Sequence, residues 1–281
     1  SHRRYAAQAG VDAMNAPNTA TAYREAGAEA LAARLRNAWV KFGDFTAIQD
    51  LSLDIAEGEF WSILGPSGCG KSTLLRLVSD LIPPASGEVS VFGKSTEEAR
   101  LAREFAFVFQ DASLLPWRSA LKNVELPLEV GRSRGIKLPV SDKTPRELLE
   151  LVGLKGREDA LPHELSGGMR QRVAIARALV CHPKLLLMDE PFGALDEMTR
   201  DHLNLQLLKI WEETGATILF VTHSIPEAVF LGQKVLMLQA HPGRLRKIVD
   251  IDIPGPRSIA QRETPEFIRH AAELRQTLET C

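Results

Sequence analysis

An α/β fold with a mostly parallel sheet, an antiparallel β edge and a helical insertion is the architecture this sequence predicts. Three observations carry it. Short apolar runs at Phe60-Trp-Ser-Ile-Leu64, Lys184-Leu-Leu-Leu-Met188, Thr217 to Thr222 and Val235-Leu-Met-Leu-Gln239 suit buried strands, with helical stretches between them. A glycine-rich turn follows the first run and opens a helix at Thr73-Leu-Leu-Arg-Leu-Val78. Residues 111–163 hold few strand signals, several prolines and a helical pattern at Pro145-Arg-Glu-Leu-Leu-Glu-Leu-Val152, which reads as an insertion.

The remaining segments fit around that frame. Residues 1–33 are rich in Ala, Asn and Thr and are expected to form a loosely held extension, although Ala22 to Arg36 suits a helix. The main domain is expected over 34–245. Within it Leu51-Ser-Leu-Asp-Ile55 alternates like a half-buried strand, and Ser86-Gly-Glu-Val-Ser-Val-Phe-Gly93 reads as an edge strand between turn glycines. Residues 246–281 form a tail with one helix. Thr264 and Pro265 suit its cap and first position, and Phe267, Ala271, Leu274 and Leu278 fall on one face.

Bulk properties narrow the class. The chain has 281 residues, 25% charged and 44% hydrophobic, an ordinary globular composition. A formal net charge of −2 gives no general electrostatic reason to expect nucleic acid as a partner. The three cysteines, Cys69, Cys181 and Cys281, have no metal-type spacing and suit a reducing compartment. No apolar run approaches bilayer-spanning length, and the basic start SHRRYAAQAG lacks the apolar core of a secretion signal. A cytosolic protein is expected.

The chemistry concentrates in two anion-binding motifs. Gly65, Pro66, Ser67, Gly68, Cys69, Gly70, Lys71 and Ser72 match G-x-x-x-x-G-K-[ST], with a strand before and a helix after. Such a loop curls backbone N–H groups around phosphate oxygens, Lys71 reaches the terminal phosphates, and the Ser72 hydroxyl can ligate Mg²⁺. Cys69 reads as a small loop residue that can also make the site sensitive to thiol reagents. Leu185-Leu-Leu-Met-Asp-Glu190 delivers Asp189 to a strand end, where it can hold Mg²⁺ through water, with Glu190 placed to act on an attacking water. The second motif, Leu165-Ser-Gly-Gly-Met-Arg-Gln-Arg172, sets a serine and two glycines before a helix, and a helix start is itself an anion site.

Together these residues resemble the ATP-binding subunit of an ABC transporter, over roughly residues 34–245, which implies a P-loop NTPase (RecA-like) core. The octet is similar to that family's LSGGQ signature, with Met169 at the usual glutamine. The resemblance implies nucleotide contacts from the whole phosphate loop through Thr73, and from Ser166, Gly167 and Gly168. It implies a Q-loop role in catalysis and metal binding for Gln110, a D-loop at Gly193-Ala-Leu-Asp196 with Asp196 at a dimer interface, and a switch histidine at His223. Phe42 lies where the family places an aromatic on adenine; simple packing is the other reading. Two such subunits pack head to tail, each signature capping the ATP held by its partner's phosphate loop. A homodimer is therefore implied, and a lone copy has an incomplete site.

Phe109-Gln-Asp-Ala-Ser-Leu-Leu-Pro-Trp117, Ser224-Ile-Pro-Glu-Ala228 and His241-Pro-Gly-Arg244 further resemble the importer group for nitrate, sulfonates and taurine. That implies a peripheral protein on the cytoplasmic face of the inner membrane, working with transmembrane permease subunits and, indirectly, an extracytoplasmic solute-binding protein. Leu114, Leu115 and Trp117 would couple to the permease, or pack the insertion's own core. An efflux or lipid-handling ATPase shares every catalytic motif and differs in its partner. Soluble non-transport relatives typically carry two cassettes, long coiled coils or zinc-binding cysteines, none of which is visible.

Overall fold

The computed structural model describes residues 30–281. Strand β1 (Leu31–Phe42) pairs antiparallel with β2 (Phe45–Ala56) and with β4 (Ser86–Val91), and a short β5 (Lys94–Ser95) completes a four-stranded sheet in the order β2-β1-β4-β5. The antiparallel edge is thus an entire second sheet. Its first strand corrects the helix expected over Ala22 to Arg36: residues 31–36 are extended, while 22–29 lie outside the described residues. Alanine-rich sequence favours helix locally, but pairing on both sides of β1 buries Ala32, Ala33, Leu35 and Ala38 and decides the outcome. β1 also begins inside the segment 1–33 expected as an extension, most of which lies outside the described residues.

The larger sheet has six strands in the order β10 (Arg244–Asp250), β9 (Lys234–Gln239), β3 (Phe60–Leu64), β8 (Thr217–Val221), β7 (Leu185–Asp189) and β6 (Phe105–Val108). All pairings are parallel except β10 on β9. β3 and β8 are buried at every residue, which is why they read as unbroken apolar runs. Alternate residues feed two cores. Phe60 and Leu64 join Met188, Phe220 and Met237 beneath the helices, whereas Trp61 and Ile63 join Leu35, Ile55 and Leu74 between the sheets. The expected boundary at 245/246 falls within β10, so the tail continues the sheet rather than leaving it.

Seven α-helices connect the described strands, α1 (Lys71–Val78), α2 (Thr96–Leu101), α3 (Ala120–Ser133), α4 (Pro145–Leu151), α5 (Gly167–Leu179), α6 (Glu197–Thr214) and α7 (Ile225–Leu231), and α8 (Pro265–Glu279) follows the last strand. α3 and α4 are the insertion, and both pack on α5. Thr144 and Glu147 form a reciprocal cap at the start of α4, with Pro145 in the first turn where its missing N–H costs nothing. Thr264 caps α8 through the Phe267 N–H, as its sequence suggests. Phe267 and Leu274 of α8 are buried against the main core, and full burial of such side chains stabilises by about 1.5–3 kcal/mol each. Among the described residues, no helix is long and apolar enough to cross a membrane.

Candidate functional site

Strand order places the chemistry. β8 lies between β3 and β7, and Val221 is the register partner of both Ile63 and Asp189. The three strands therefore end at one level, and the segments after them — the phosphate loop, Glu190 and His223 — leave the same edge of the sheet. Ligands of open parallel sheets bind beyond this carboxyl edge.

The phosphate loop passes from β3 to α1 through close backbone approaches. A Cβ on Gly65 would stand 2.6 Å from both the Leu238 carbonyl oxygen and Cys69 Sγ, and Gly70 precedes α1 at φ 95°. Lys71 is nearly buried and donates to the Gly65 and Pro66 carbonyls at 2.9 and 3.0 Å. An ammonium carries three hydrogens, so one remains for a ligand. Cys69 is fully buried, and burial first, then the nearby Cys281, pushes its thiol up, against the partly opposing Lys71. That corrects the expectation of thiol-reagent sensitivity, because a buried thiol with a raised pKa is a poor nucleophile.

Ser72 Oγ donates to Asp189 Oδ1 at 2.8 Å. Burial pushes the Asp189 carboxyl up, the Ser72 bond opposes this, and the neighbouring Glu190 charge adds to it. Glu190 follows with φ 44°, a left-handed conformation that costs a non-glycine residue about 1–3 kcal/mol and that gathers at functional sites. Its Oε2 lies 3.0 Å from His223 Nδ1. A cleft of about 360 Å³ is lined by Leu64, Gly65, Pro66, Ser67, Lys71, Glu190, His223 and Leu278. Gln110 stands beside it: a Cβ on Gly193 would lie 3.4 Å from Gln110 Nε2 and 3.5 Å from Glu190 Oε2.

The structure does not bring the second motif to this cleft. Ser166 is exposed, caps α5 through the Met169 N–H at 3.2 Å, and is absent from the lining, as are Gly167 and Gly168. Those glycines admit close neighbours instead: a Cβ on Gly168 would stand 2.7 Å from Thr199 Cγ2, and one on Gly167 would stand 3.3 Å from Leu195 Cδ2. Asp196, exposed, caps α6; hydrogen bonds from Thr199 hold its carboxyl below the usual range. Phe42 stands half-exposed where β1 turns into β2, outside the cleft. Trp117 is 72% exposed, while Leu114 packs against the main core.

Sequence reasoning missed several supports. Gln171 is buried and donates to the Phe109 carbonyl at 2.8 Å, and Arg177 donates to the carbonyls of Ala112 and Ser113. Both sit on α5, and nothing in the local sequence signals that their partners are carbonyls of the loop around Gln110. Thr222 donates to Glu227 and accepts from the Ser224 N–H, fixing the backbone around His223. Leu278 carried no signal beyond its helix face.

Comparison with known proteins places this geometry. The ABC transporter family model matches residues 48–193. The aliphatic sulfonates import ATP-binding protein of Bacillus subtilis (strain 168) is 44% identical over 222 residues, 79% of this chain and 83% of its own length. A nitrate import ATP-binding protein of Synechocystis sp. is 41% identical over 244 residues, covering 85% and 90%. A solved dimeric ATP-binding cassette, in a post-hydrolysis state bound to ADP and Pi, superposes with a TM-score of 0.65 at 36% identity, covering 79% of this chain and all of the other. The phosphate loop, the Asp-Glu pair and His223 lie at one sheet edge, and by the family model and the identity to these relatives the chain belongs to the ABC transporter family as an ATP-binding subunit.

Proposed function

We propose that this chain is the ATP-hydrolysing subunit of an importer, that two copies close around two ATP, and that closure drives uptake of nitrate, a sulfonate, taurine or a similar small solute through membrane permease subunits. The observation that carries the reading is the separation of the two motifs within one chain. The cleft holds Lys71, Glu190 and His223 but no signature residue, while Ser166 stands exposed at a helix start. A second copy packed head to tail would bring its Ser166 hydroxyl and glycine N–H groups to the open side. The dimeric form of the solved cassette and the import names of the relatives support this.

Within that site the remaining Lys71 hydrogen holds a terminal phosphate oxygen, and the loop amides hold the others. Glu190 polarises a water for in-line attack on the terminal phosphorus, and His223, paired with Glu190, orients that carboxylate and contacts the phosphate. Phe42, exposed at the end of its strand, is available to stack on the base. The Ser72 hydroxyl, the half-buried Asp189 carboxylate bonded to it and the Gln110 amide are hard oxygen donors, so the set fits Mg²⁺. When bound there, that ion would supply positive charge to offset the charge of the phosphates. The partner closes the cleft and Asp196 lies in the contact. Closure follows from nucleotide only because the closed state binds it more tightly.

Trp117 is the anchor proposed for the permease, with Leu115 beside it and Leu114 tying the segment to the core. The test is reconstitution: purify the chain with its membrane subunits and solute-binding protein, and measure ATP-driven uptake of nitrate and of an alkanesulfonate into vesicles. Uptake that needs ATP and is lost with Glu190→Gln supports the reading. A chain that hydrolyses ATP yet drives outward movement, or none, rejects it.

A further inference from the structure

α8 runs beside β10 toward the carboxyl edge of the sheet, and its end reaches the phosphate site. Phe267 and Leu274 bury its first three turns. Around and beyond Leu274 the hold is mixed: Lys247 pairs with Glu273 at 2.7 Å, Arg246 donates to Thr280 at 3.3 Å, and half-buried Leu278 packs against the edge of the main core. Leu278 then forms part of the cleft wall with Gly65, Pro66, Lys71, Glu190 and His223. Two features of this last turn oppose a phosphate. The Leu278 side chain puts an apolar group in the wall of the same cleft that Lys71 lines. The carboxyl end of a helix also carries partial negative charge, and Glu279 beside it is exposed and acidic. The start of α1, by contrast, offers the positive end that a phosphate needs.

We propose that the end of α8 and the two residues after it, Thr277 to Cys281, form an autoinhibitory plug at the nucleotide cleft, displaced when nucleotide enters and the second copy closes. The inference rests on nucleotide binding at the phosphate loop as read above. Phe267, Leu274 and the Lys247–Glu273 ion pair keep the body of α8 docked, so only the final turn leaves, giving up the Arg246–Thr280 hydrogen bond and the partial packing of Leu278. Because linkage is reciprocal, a docked plug weakens nucleotide binding and bound nucleotide loosens the plug by the same factor.

The experiment uses the full chain with Mg²⁺ and the non-hydrolysable analogue AMP-PNP, in two readouts. Amide hydrogen exchange over 275–281 should quicken on adding the analogue, while 266–274 stays unchanged. A fluorescent ATP analogue should bind Leu278→Ala and Glu279→Lys roughly two- to fivefold more tightly than wild type. Glu279 is exposed, so its substitution leaves the packing intact and serves where Leu278→Ala unfolds. Unchanged or slower exchange at 275–281, or weaker binding by both variants, makes the last turn a supporting wall and overturns the plug alone. A wild-type chain that binds no nucleotide overturns the plug and the proposed function together.

Discussion

The Gln171 side chain donates to the Phe109 carbonyl at 2.8 Å, tying the helix that follows the signature to the residue before Gln110. Arg177 repeats the tie one to two turns later, at the Ala112 and Ser113 carbonyls. The signature serine and the cleft glutamine of one chain are thus held by one helix. Gln171→Leu removes this part-buried hydrogen bond, at a cost of about 0.5–1.5 kcal/mol. Urea unfolding should show that loss, and ATP turnover should fall more than ATP affinity, because the Gln110 loop shifts while the phosphate loop does not.

Glu190 and His223 form the other decisive pair, 3.0 Å apart. Glu190→Gln keeps the shape and removes the charge that polarises water. It should bind ATP normally, lose roughly 10²- to 10⁴-fold in turnover, and sediment as a persistent dimer in ATP. Normal turnover in a steady-state assay removes Glu190 from its role.

Much of this was legible in the sequence because the relevant signals are local. β3, β7 and β8 declare themselves as unbroken apolar runs, and the loop after β3 carries its own glycines and lysine. β1 was not legible: its alanines favour helix, and only pairing with β2 and β4 makes it a strand. β10, Arg-Leu-Arg-Lys-Ile-Val-Asp, reads as polar because it is an edge strand with exposed charges. The arrival of Leu278 at the cleft was beyond reach for a different reason. It depends on where α8 docks, which is set by contacts with α7 and β10 that no periodicity within α8 reveals.

Trp117 should separate coupling from chemistry. It is 72% exposed and lies outside the cleft, so Trp117→Ala should leave basal ATPase within about twofold while greatly reducing permease-stimulated turnover and uptake. Equal loss of both activities would return the residue to a structural role.

Glu227 gives a pH signature. Burial pushes its carboxyl up, with the Thr222 hydrogen bond opposing. A carboxyl whose folded pKa lies above its unfolded value stabilises relative to its ionised form at low pH, and that advantage is lost as pH rises through the folded value. Glu227→Gln should therefore be more stable than wild type at neutral pH and show a flatter stability profile above pH 4.5, the ordinary glutamate value, in thermal melts across pH.

The composite site is tested most directly by mixing two inactive variants. Lys71→Ala keeps an intact signature but a broken phosphate loop, and Ser166→Glu keeps the loop but places a repelling charge where the partner's phosphate should dock. Each alone should be nearly inactive in an ATPase assay. Mixed in equal amounts they should recover roughly a quarter of wild-type turnover, since half the dimers are mixed and each holds one complete site of two. No recovery from two folded, associating variants, or full activity of Ser166→Glu alone, would contradict a site built from two copies.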